Sequence, residues 1–234
     1  MSCVRLGRGY NAAPMDLLYR ISRVGGRFTF FCTMRAHVLH AQRAEREGGY
    51  VLALTHLSHL EPMCASILSQ RRIHWMTRKE FFKYRLIAAY LRACNAFRVD
   101  RQGIPVSAVR QAIQRAQHGH AVGICPEGGV TQGAQAAIRG GAIKKGCCTV
   151  ALRAGVPILP CVMLGTDKLN RVGPWLPFKR AQIWLAYGEP IHPPAGMKST
   201  RASREALGAR LVSSYGQLYA ELRTQYGICD SDVP

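Results

Sequence analysis

The strongest indication of the fold is Tyr50-Val51-Leu52-Ala53-Leu54-Thr55-His56-Leu57-Ser58-His59-Leu60-Glu61-Pro62, an apolar run followed by a polar turn. The run is short, rich in β-formers and introduced by Gly48-Gly49, which is typical of a buried strand. Ser58 and Glu61 fit the Ser-x-x-Glu capping box that opens a helix. The pattern predicts strand, turn and helix, with His56 at the strand's carboxyl end, where open α/β sheets bind ligands.

His56 and Glu61, five positions apart, are candidates for a catalytic base and its orienting acid. On one helix these side chains would point about 140° apart, so a contact requires the intervening turn. A neutral imidazole can take a proton from an attacking alcohol, and a carboxylate on the other ring nitrogen stabilises the imidazolium. The alternative is that Glu61 only caps the helix and His56 is a structural histidine. His59 is the weaker candidate for the base.

A second strand-like run, Ala121 to Ile124, leads into Cys125-Pro126-Glu127-Gly128-Gly129. Its glycines allow the backbone to approach a ligand and to offer amides to an anion, and Glu127 can accept a hydrogen bond from a hydroxyl group. A plain tight turn is the alternative for this segment taken alone. The two segments together favour a functional site.

With these segments, the chain resembles the glycerolipid acyltransferase family typified by lysophosphatidic acid acyltransferases. That family's first block is Asn-His-x4-Asp, and its third is Phe-Pro-Glu-Gly-Thr-Arg-Ser. Four blocks occur here in the family's order, at residues 55–61, 78–101, 125–129 and 155–162. The resemblance covers about residues 50–190, and the order and spacing of the blocks are more specific than any single block.

The resemblance implies transfer of a fatty acyl group from acyl-coenzyme A or acyl carrier protein to the hydroxyl of a lysophospholipid. The first choice of acceptor is 1-acylglycerol-3-phosphate, which would give phosphatidic acid. By resemblance, His56 is the general base and Glu61 its partner. The acceptor pocket is expected to comprise Lys79, Arg101, Glu127, Gly128 and Gly129, the first two as contacts to the phosphate. No metal, cofactor or covalent enzyme intermediate is expected.

Three departures from the family pattern bear on the acceptor. Glu61 stands in place of the aspartate, Thr55 in place of the asparagine, and Gly129-Val130 in place of Thr-Arg. Because the third-block arginine is missing, either Arg139 or Lys144 compensates or the acceptor is not lysophosphatidic acid. Lyso-ornithine lipid and glycerol 3-phosphate are alternative acceptors.

The composition indicates an anionic partner. Thirty-two Lys and Arg against thirteen Asp and Glu give a net charge of +19, which suits a membrane surface with anionic lipids. No zinc finger, RNP aromatic signature or heptad with a basic region supports a nucleic-acid partner. A non-enzymatic lipid- or nucleic-acid-binding protein remains an alternative that would not need His56, and a hydrolase would need a nucleophile that the sequence does not show.

The nine cysteines are scattered without a Cys-x2-Cys pair, which favours a reducing compartment and argues against zinc. No stretch of 18 uncharged apolar residues is present, so no membrane-spanning helix is expected. The predicted location is the cytoplasmic face of a membrane, with peripheral or monotopic attachment.

The predicted fold is a single α/β domain with a mixed, mostly parallel sheet flanked by helices. Residues 46–234 are expected to form the acyltransferase catalytic domain, and residues 1–45 an amphipathic N-terminal membrane-interface element. Within the latter, residues 14–40 interleave apolar residues with arginines, which predicts an interfacial helix or helix pair broken near Gly25-Gly26. The alternative is that this face packs on the catalytic domain.

A second apolar stretch, residues 81–91, lies between the two basic ends of the second block. Most of it is expected to be core, with an acyl-chain groove as the alternative.

Overall fold

Aliphatic-rich segments form one central sheet in the computed structural model, which describes residues 13–100, 106–170, 181–230 and 233. The described strands are β1 (Met34–Leu39), β2 (Tyr50–Leu54), β3 (Ile73–Arg78), β4 (Phe97–Val99), β5 (Ala121–Ile124), β6 (Ile158–Leu164) and β7 (Ala181–Tyr187). The α-helices are α1 (Ala13–Thr33), α2 (Glu61–Leu68), α3 (Arg85–Ala93), α4 (Val106–Gln117), α5 (Gly146–Ala154) and α6 (Arg201–Tyr226).

The strand order across the sheet is β1-β7-β6-β2-β5-β3-β4. The block from β6 to β4 is parallel throughout, whereas β7 pairs antiparallel with β6 and parallel with β1. This mixed, mostly parallel sheet confirms the predicted fold class. The carboxyl ends of the parallel strands meet at one edge, called here the carboxyl edge, and their amino ends meet at the amino edge.

Both faces of the sheet are buried, as the continuous apolar run of β2 requires. Val51 and Ala53 belong to one core, while Tyr50, Leu52 and Leu54 belong to the other. Helices α4, α5 and α6 pack on the first face and supply its alanines, cysteines and leucines. Helices α1 and α2 pack on the second face, with part of α3 beside them. The alternation of side chains along β2 therefore joins two cores through one strand.

Helix α1 corrects the prediction of a break at Gly25-Gly26, because the helix runs without interruption from Ala13 to Thr33. Gly26 is a site of close packing: a Cβ there would lie 3.0 Å from Ile67 Cδ1 of α2. The prediction of helix across residues 34–40 is also wrong, because β1 pairs with β7 as an edge strand. Tertiary packing on α2 and the sheet overrides the weak local signals.

The 81–91 stretch corrects the expectation that most of it is core. Phe82 and Leu91 pack partly against the second core. The other large apolar residues are exposed, with relative accessibilities from 37% to 87%: Phe81, Tyr84, Leu86, Ile87 and Tyr90. We call these five residues the α3 surface.

Among the described residues, no helix combines the length and apolar composition that crossing a bilayer requires. The division into residues 1–45 and 46–234 stays a prediction. β1 lies inside the predicted N-terminal element and is part of the central sheet, so deleting that whole element would remove a strand.

Candidate active site

The carboxyl edge gathers the polar residues that follow neighbouring strands. His56 follows β2, Glu127 follows β5 and Thr166 follows β6, and these three strands are adjacent in the sheet. Lys79 follows β3, two strands from β2, or roughly 10 Å away at the usual spacing between strands. The sequence blocks therefore meet at one edge because the strands before them run parallel.

His56 and Glu61 are in contact across the turn. Nδ1 of His56 lies 3.1 Å from Oε2 of Glu61. The His56 side chain is 13% exposed and that of Glu61 is completely buried. An ionised carboxylate in this position accepts a hydrogen bond from Nδ1–H, which leaves the acceptor lone pair of the neutral imidazole on Nε2.

The predicted capping box of Ser58 and Glu61 is wrong. Helix α2 begins at Glu61 itself, after the N-cap residue Leu60, which makes no side-chain cap. Glu61 instead reaches back, and its Oε1 accepts a hydrogen bond from the Leu57 N–H at 3.0 Å. Ser58 Oγ accepts from the Leu60 N–H at 3.2 Å, which tightens the turn before the helix. Glu61, at the start of α2, therefore contacts His56 and does not form the predicted capping box.

Thr166 is a further partner that the sequence analysis missed. Its hydroxyl donates to Oε1 of Glu61 at 3.3 Å, and its carbonyl accepts from Ser58 Oγ at 3.3 Å. Its side chain is buried, with 1% exposed. In the sequence, Thr166 could have been identified from its position: it follows Gly165, directly after the strand-like run Ile158–Leu164. We assign Thr166 a positioning role through Glu61.

Burial is the largest influence on Glu61 and raises its pKa well above the ordinary value of 4.5. Hydrogen bonds from the backbone of Leu57 and Ser58 act in the opposite direction, whereas the nearby charge of Glu127 adds to the rise. Burial therefore increases the proton affinity of the Glu61 carboxyl group, whose Oε2 lies 3.1 Å from Nδ1 of His56.

Glu127 holds the backbone around His56. Its Oε2 accepts a short hydrogen bond from the His56 N–H, and its Oε1 accepts from Thr131 Oγ1 at 2.7 Å and from the Ala137 N–H at 2.8 Å. The Thr131 N–H in turn donates to the His56 carbonyl at 2.9 Å. Contact between Glu127 and the acceptor stays a prediction. In the structure, three protein groups already donate hydrogen bonds to this carboxylate.

Gly128 and Gly129 form the turn after Glu127. Gly128 has φ +76°, a left-handed conformation that favours glycine, and a Cβ there would lie 2.7 Å from Cε and Nζ of Lys144. Around Gly129 the space is open, since a Cβ there would meet no atom within 4 Å. Lys144 thus lies over the glycine turn, and its backbone N–H donates to the Pro126 carbonyl at 2.7 Å.

Of the two residues considered as replacements for the missing third-block arginine, Lys144 is the better placed. Arg139 contacts the C-terminal segment, where NH2 lies 3.4 Å from the carbonyl oxygens of Asp230 and Val233. The exposed side chain of Lys144 lies against Gly128 instead.

Lys79, the predicted phosphate contact, forms an ion pair. Its Nζ lies 2.6 Å from Oδ2 of Asp100, the residue that follows β4, and both side chains are partly exposed. An acceptor phosphate at Lys79 would share the ammonium group with the Asp100 carboxylate or displace that carboxylate. Arg101, the second predicted phosphate contact, lies outside the described residues.

Thr55 replaces the family's asparagine and ties the site to β6. Its N–H donates to the Cys161 carbonyl at 3.0 Å, and its Oγ1 accepts from the Met163 N–H at 3.3 Å. These bonds extend the pairing of β2 and β6 to the residue before His56. Hydrogen bonds to β6 therefore hold the backbone directly before His56.

Ser58 is a poor nucleophile in this geometry. It lies two residues after His56, but its side chain is 1% exposed and its hydroxyl donates to the Thr166 carbonyl. His59 is exposed, with its ring centroid 6.1 Å from that of His56. Within the described ranges, no group of three or more His, Cys, Asp or Glu residues could hold a metal ion.

The chain is similar to known proteins both in sequence and in fold. A family model described as Acyltransferase matches residues 35–164, from β1 to the end of β6. The 1-acyl-sn-glycerol-3-phosphate acyltransferase of Bacillus subtilis (strain 168) is 27% identical over 156 residues, which are 66% of this chain and 73% of that protein. The crystal structure of the 1-acyl-sn-glycerophosphate (LPA) acyltransferase PlsC from Thermotoga maritima is similar with a TM-score of 0.64 and 21% identity, and the match covers 87% of this chain and 80% of that chain.

Proposed function

Because this chain belongs to the acyltransferase family, as its four sequence blocks predicted, we propose that it acylates the hydroxyl of a lysophospholipid from an acyl thioester. The proposed acceptor is 1-acylglycerol-3-phosphate, the substrate class named by the Bacillus subtilis relative, and the product is phosphatidic acid. The observation that carries this proposal is the contact of 3.1 Å between His56 and the buried Glu61 at the carboxyl edge.

The proposed mechanism is direct transfer with His56 as general base. Nε2 of His56 takes the proton of the acceptor hydroxyl while its oxygen attacks the thioester carbonyl carbon. Glu61 holds the Nδ1–H and stabilises the imidazolium. Collapse of the tetrahedral intermediate forms the ester and breaks the C–S bond, and the imidazolium returns its proton to the departing thiolate. The donor is acyl-coenzyme A or acyl carrier protein.

The acceptor phosphate is proposed to bind beside the base. Lys79 and Lys144 supply ammonium groups at the same edge, and the open space around Gly129 admits a ligand, whereas the Gly128 N–H donates to the Cys125 carbonyl at 3.1 Å. Arg101 is the further contact that the family resemblance implies. Charge-assisted contacts of this kind hold the acceptor hydroxyl in line with the thioester. Lys144 takes the place of the missing third-block arginine in this arrangement.

Membrane attachment is proposed to use one face of the molecule. Leu17, Ile21, Val24 and Phe28 lie at spacings of four, three and four on α1 and are 59–70% exposed; we call them the α1 stripe. Of the eleven exposed large apolar residues described, nine belong to the α1 stripe or the α3 surface. Because α1 packs against α3, the α1 stripe and the α3 surface belong to neighbouring parts of the molecule, and clustered exposed apolar residues are typical of a membrane contact. Attachment is proposed to be peripheral, at the cytoplasmic face.

The substrate proposal is tested by incubating purified protein with acyl-coenzyme A or acyl carrier protein and a panel of lysolipids in liposomes. We expect phosphatidic acid from 1-acylglycerol-3-phosphate, detected by mass spectrometry. Activity only with lyso-ornithine lipid or glycerol 3-phosphate would replace the acceptor, and no acylation of any acceptor would contradict the proposal.

Ser58→Ala distinguishes direct transfer from a hydrolase with a serine nucleophile. We expect the variant to retain acyl transfer, because the Ser58 hydroxyl is buried and bonded to backbone. Loss of activity together with an acylated Ser58 in the wild-type protein would contradict direct transfer.

A further inference from the structure

A short 3₁₀ turn, Ala137–Arg139, supplies one of the three hydrogen-bond donors to Glu127. The Ala137 N–H donates to Oε1 of Glu127 at 2.8 Å, and Oε2 of the same carboxylate accepts from the His56 N–H. Two hydrogen bonds through one carboxylate therefore connect this turn with the backbone of the proposed base. The contacts that hold the turn in place bear on the position of His56.

The turn has little stability of its own. Its backbone bonds run from the Arg139 N–H to the Ala136 carbonyl at 2.9 Å and from the Gly140 N–H to the Ala137 carbonyl at 3.1 Å. Ala137 and Ile138 are buried in the core on the first face of the sheet. Apolar burial holds the turn in the core but has no direction, and short 3₁₀ segments are weak. The orientation of the Ala137 N–H therefore depends on further contacts.

Arg139 ties the end of the turn to the segment that follows α6. Its NH2 group lies 3.4 Å from the carbonyl oxygens of Asp230 and Val233, and 3.8 Å from Oδ1 of Asp230. The rigid fork of a guanidinium group donates in fixed directions, so acceptors that converge on it restrain its orientation. Arg139 therefore supplies the directional contact that apolar burial lacks.

Asp230 joins this contact to α6. Its Oδ1 accepts a hydrogen bond from the Tyr219 hydroxyl, and its Oδ2 lies 3.0 Å from NH1 of Arg223. The hydrogen bond from Tyr219, together with the charges of Arg223 and Arg139, lowers the pKa of Asp230 below its ordinary value of 3.8. The carboxylate is therefore ionised at neutral pH, and it links Arg139 to two side chains of α6.

The segment that carries Asp230 is anchored in the core. Gly227, with φ +64°, ends α6 in the left-handed conformation that favours glycine. Ile228 and Val233, on either side of Asp230, are buried in the core on the first face of the sheet. Because its neighbours are anchored, Asp230 can hold the Arg139 side chain in one place.

We infer that Arg139, held in place by Asp230, is a positioning residue for the proposed general base. Arg139 orients the Ala137 N–H toward Glu127, and Glu127 in turn holds the backbone of His56. The effect on rate rests on the acyl transfer proposed above, whereas the effect on the His56 backbone does not. The alternative is that the contacts of Arg139 only stabilise the fold, in which case the rate of the folded protein would not depend on them.

The test compares the steady-state kinetics of folded variants of the full chain. Arg139→Gln removes the guanidinium group, and Asp230→Asn removes the charge that holds it. We expect each to lower kcat about tenfold with little change in KM for the acyl thioester, because a misplaced base weakens the transition state more than substrate binding. Arg139→Lys keeps the charge and should retain more activity than Arg139→Gln. The matched control Arg201→Gln, which breaks an exposed ion pair with Glu205 on α6, should retain wild-type kcat.

A double-mutant cycle with Glu127→Gln shows whether Arg139 acts through Glu127. If it does, Arg139→Gln should reduce kcat much less in the Glu127→Gln background than in wild type. Equal reductions in the two backgrounds would overturn the inference. So would wild-type kcat in Arg139→Gln and Asp230→Asn together with lower stability in urea unfolding, because that result would show a purely structural role.

Amide hydrogen exchange measures the positioning without acyl transfer. We expect the N–H groups of Ala137 and His56 to exchange faster in Arg139→Gln than in wild type, and at the wild-type rate in the Arg201→Gln control. Faster exchange confined to the segment after α6 would overturn the inference. Absence of acyl transfer in every protein, wild type included, with the expected exchange would refute the proposed reaction and leave the positioning role supported.

Discussion

At the residue scale, the carboxylate of Glu61 contacts both the His56 ring and the backbone of the turn. Oε2 contacts His56, while Oε1 accepts from Leu57 and Thr166. The side chain is one methylene longer than the family's aspartate, and it spans the turn from the first residue of α2. The substitution therefore preserves the pairing that a general base requires.

Glu61→Gln is expected to reduce acyl transfer by about 10²- to 10⁴-fold. An amide N–H facing Nδ1 would favour the tautomer with its proton on Nε2, which cannot accept the proton of the acceptor. Steady-state kinetics measure the loss. Glu61→Asp keeps the charge and should retain more activity than Glu61→Gln, and the opposite order would contradict the pairing.

The same substitution tests the pKa shift of Glu61. Because this pKa is raised in the folded protein, the folded state holds the proton more tightly than the unfolded chain. Wild-type stability should therefore fall as pH rises from about 4.5 through the folded-state pKa. Glu61→Gln lacks this titration, so its free energy of unfolding in urea should fall less than that of wild type as pH rises above about 4.5. An equal pH dependence in the two proteins would contradict the raised pKa.

Glu127→Gln tests the support of the His56 backbone. The amide offers one acceptor oxygen in place of two, so at least one of the N–H groups of His56 and Ala137 or the Thr131 hydroxyl loses its partner. We expect destabilisation by about 1–3 kcal/mol in urea unfolding, together with lower activity. Glu205→Gln, at an exposed ion pair on α6, is the control and should stay within about 0.5 kcal/mol of wild type. Equal stabilities of the two variants would refute this role of Glu127.

At the scale of elements, α1 and α3 are the helices whose exposed faces are apolar. The inward face of α1 buries Tyr19 and Phe30, and its outward face carries the α1 stripe. Leu86 of α3 is 87% exposed. This distribution reverses the usual amphipathic pattern of a helix on a soluble domain, in which the face opposite the core is polar.

Leu86→Ser is expected to weaken vesicle binding about tenfold while leaving stability within about 0.5 kcal/mol of wild type. The leucine is almost fully exposed in the protein, so its removal costs no core packing but removes apolar area from the membrane contact. Val106→Ser on α4, 56% exposed on the opposite face, is the matched control. A change in binding of the same size in both variants would contradict the assigned face.

Local sequence predicted some elements well and others poorly, for physical reasons. β2 was predictable because its apolar run and flanking glycines agree with its burial in the centre of the sheet. The start of α2 was not, because Ser58 and Glu61 satisfy a capping pattern but make tertiary contacts with Thr166 and His56 instead. α1 continues through Gly25-Gly26 because contact of Gly26 with Ile67 favours the small residue.

At the scale of the whole molecule, the parallel strands bring residues from distant sequence blocks together at one edge of the sheet. The order β6-β2-β5 places Thr166, His56 and Glu127 side by side. The blocks could be identified from sequence, but the contact of Glu127 with the His56 N–H could not, because it depends on strand order. Thr166 was missed for the same reason, since nothing local connects it with Glu61.

The charge of the whole chain predicts salt-sensitive membrane attachment. With a net charge of +19, binding to phosphatidylglycerol vesicles should weaken steeply as sodium chloride rises, because salt screens charges beyond about 8 Å at physiological ionic strength. Residual binding at high salt should be removed by serine substitutions in the α1 stripe. Vesicle sedimentation across a salt series measures both effects, and salt-independent binding would contradict an electrostatic contribution.

The most direct test of acyl transfer by the His56–Glu61 pair is the rate of phosphatidic acid formation by His56→Ala, compared with His59→Ala. The two histidines lie on the same turn, but His56 alone contacts Glu61 in the described structure. We predict a loss of about 10²- to 10⁴-fold for His56→Ala and near wild-type activity for His59→Ala, with both variants folded. Undiminished product formation by His56→Ala would contradict the mechanism.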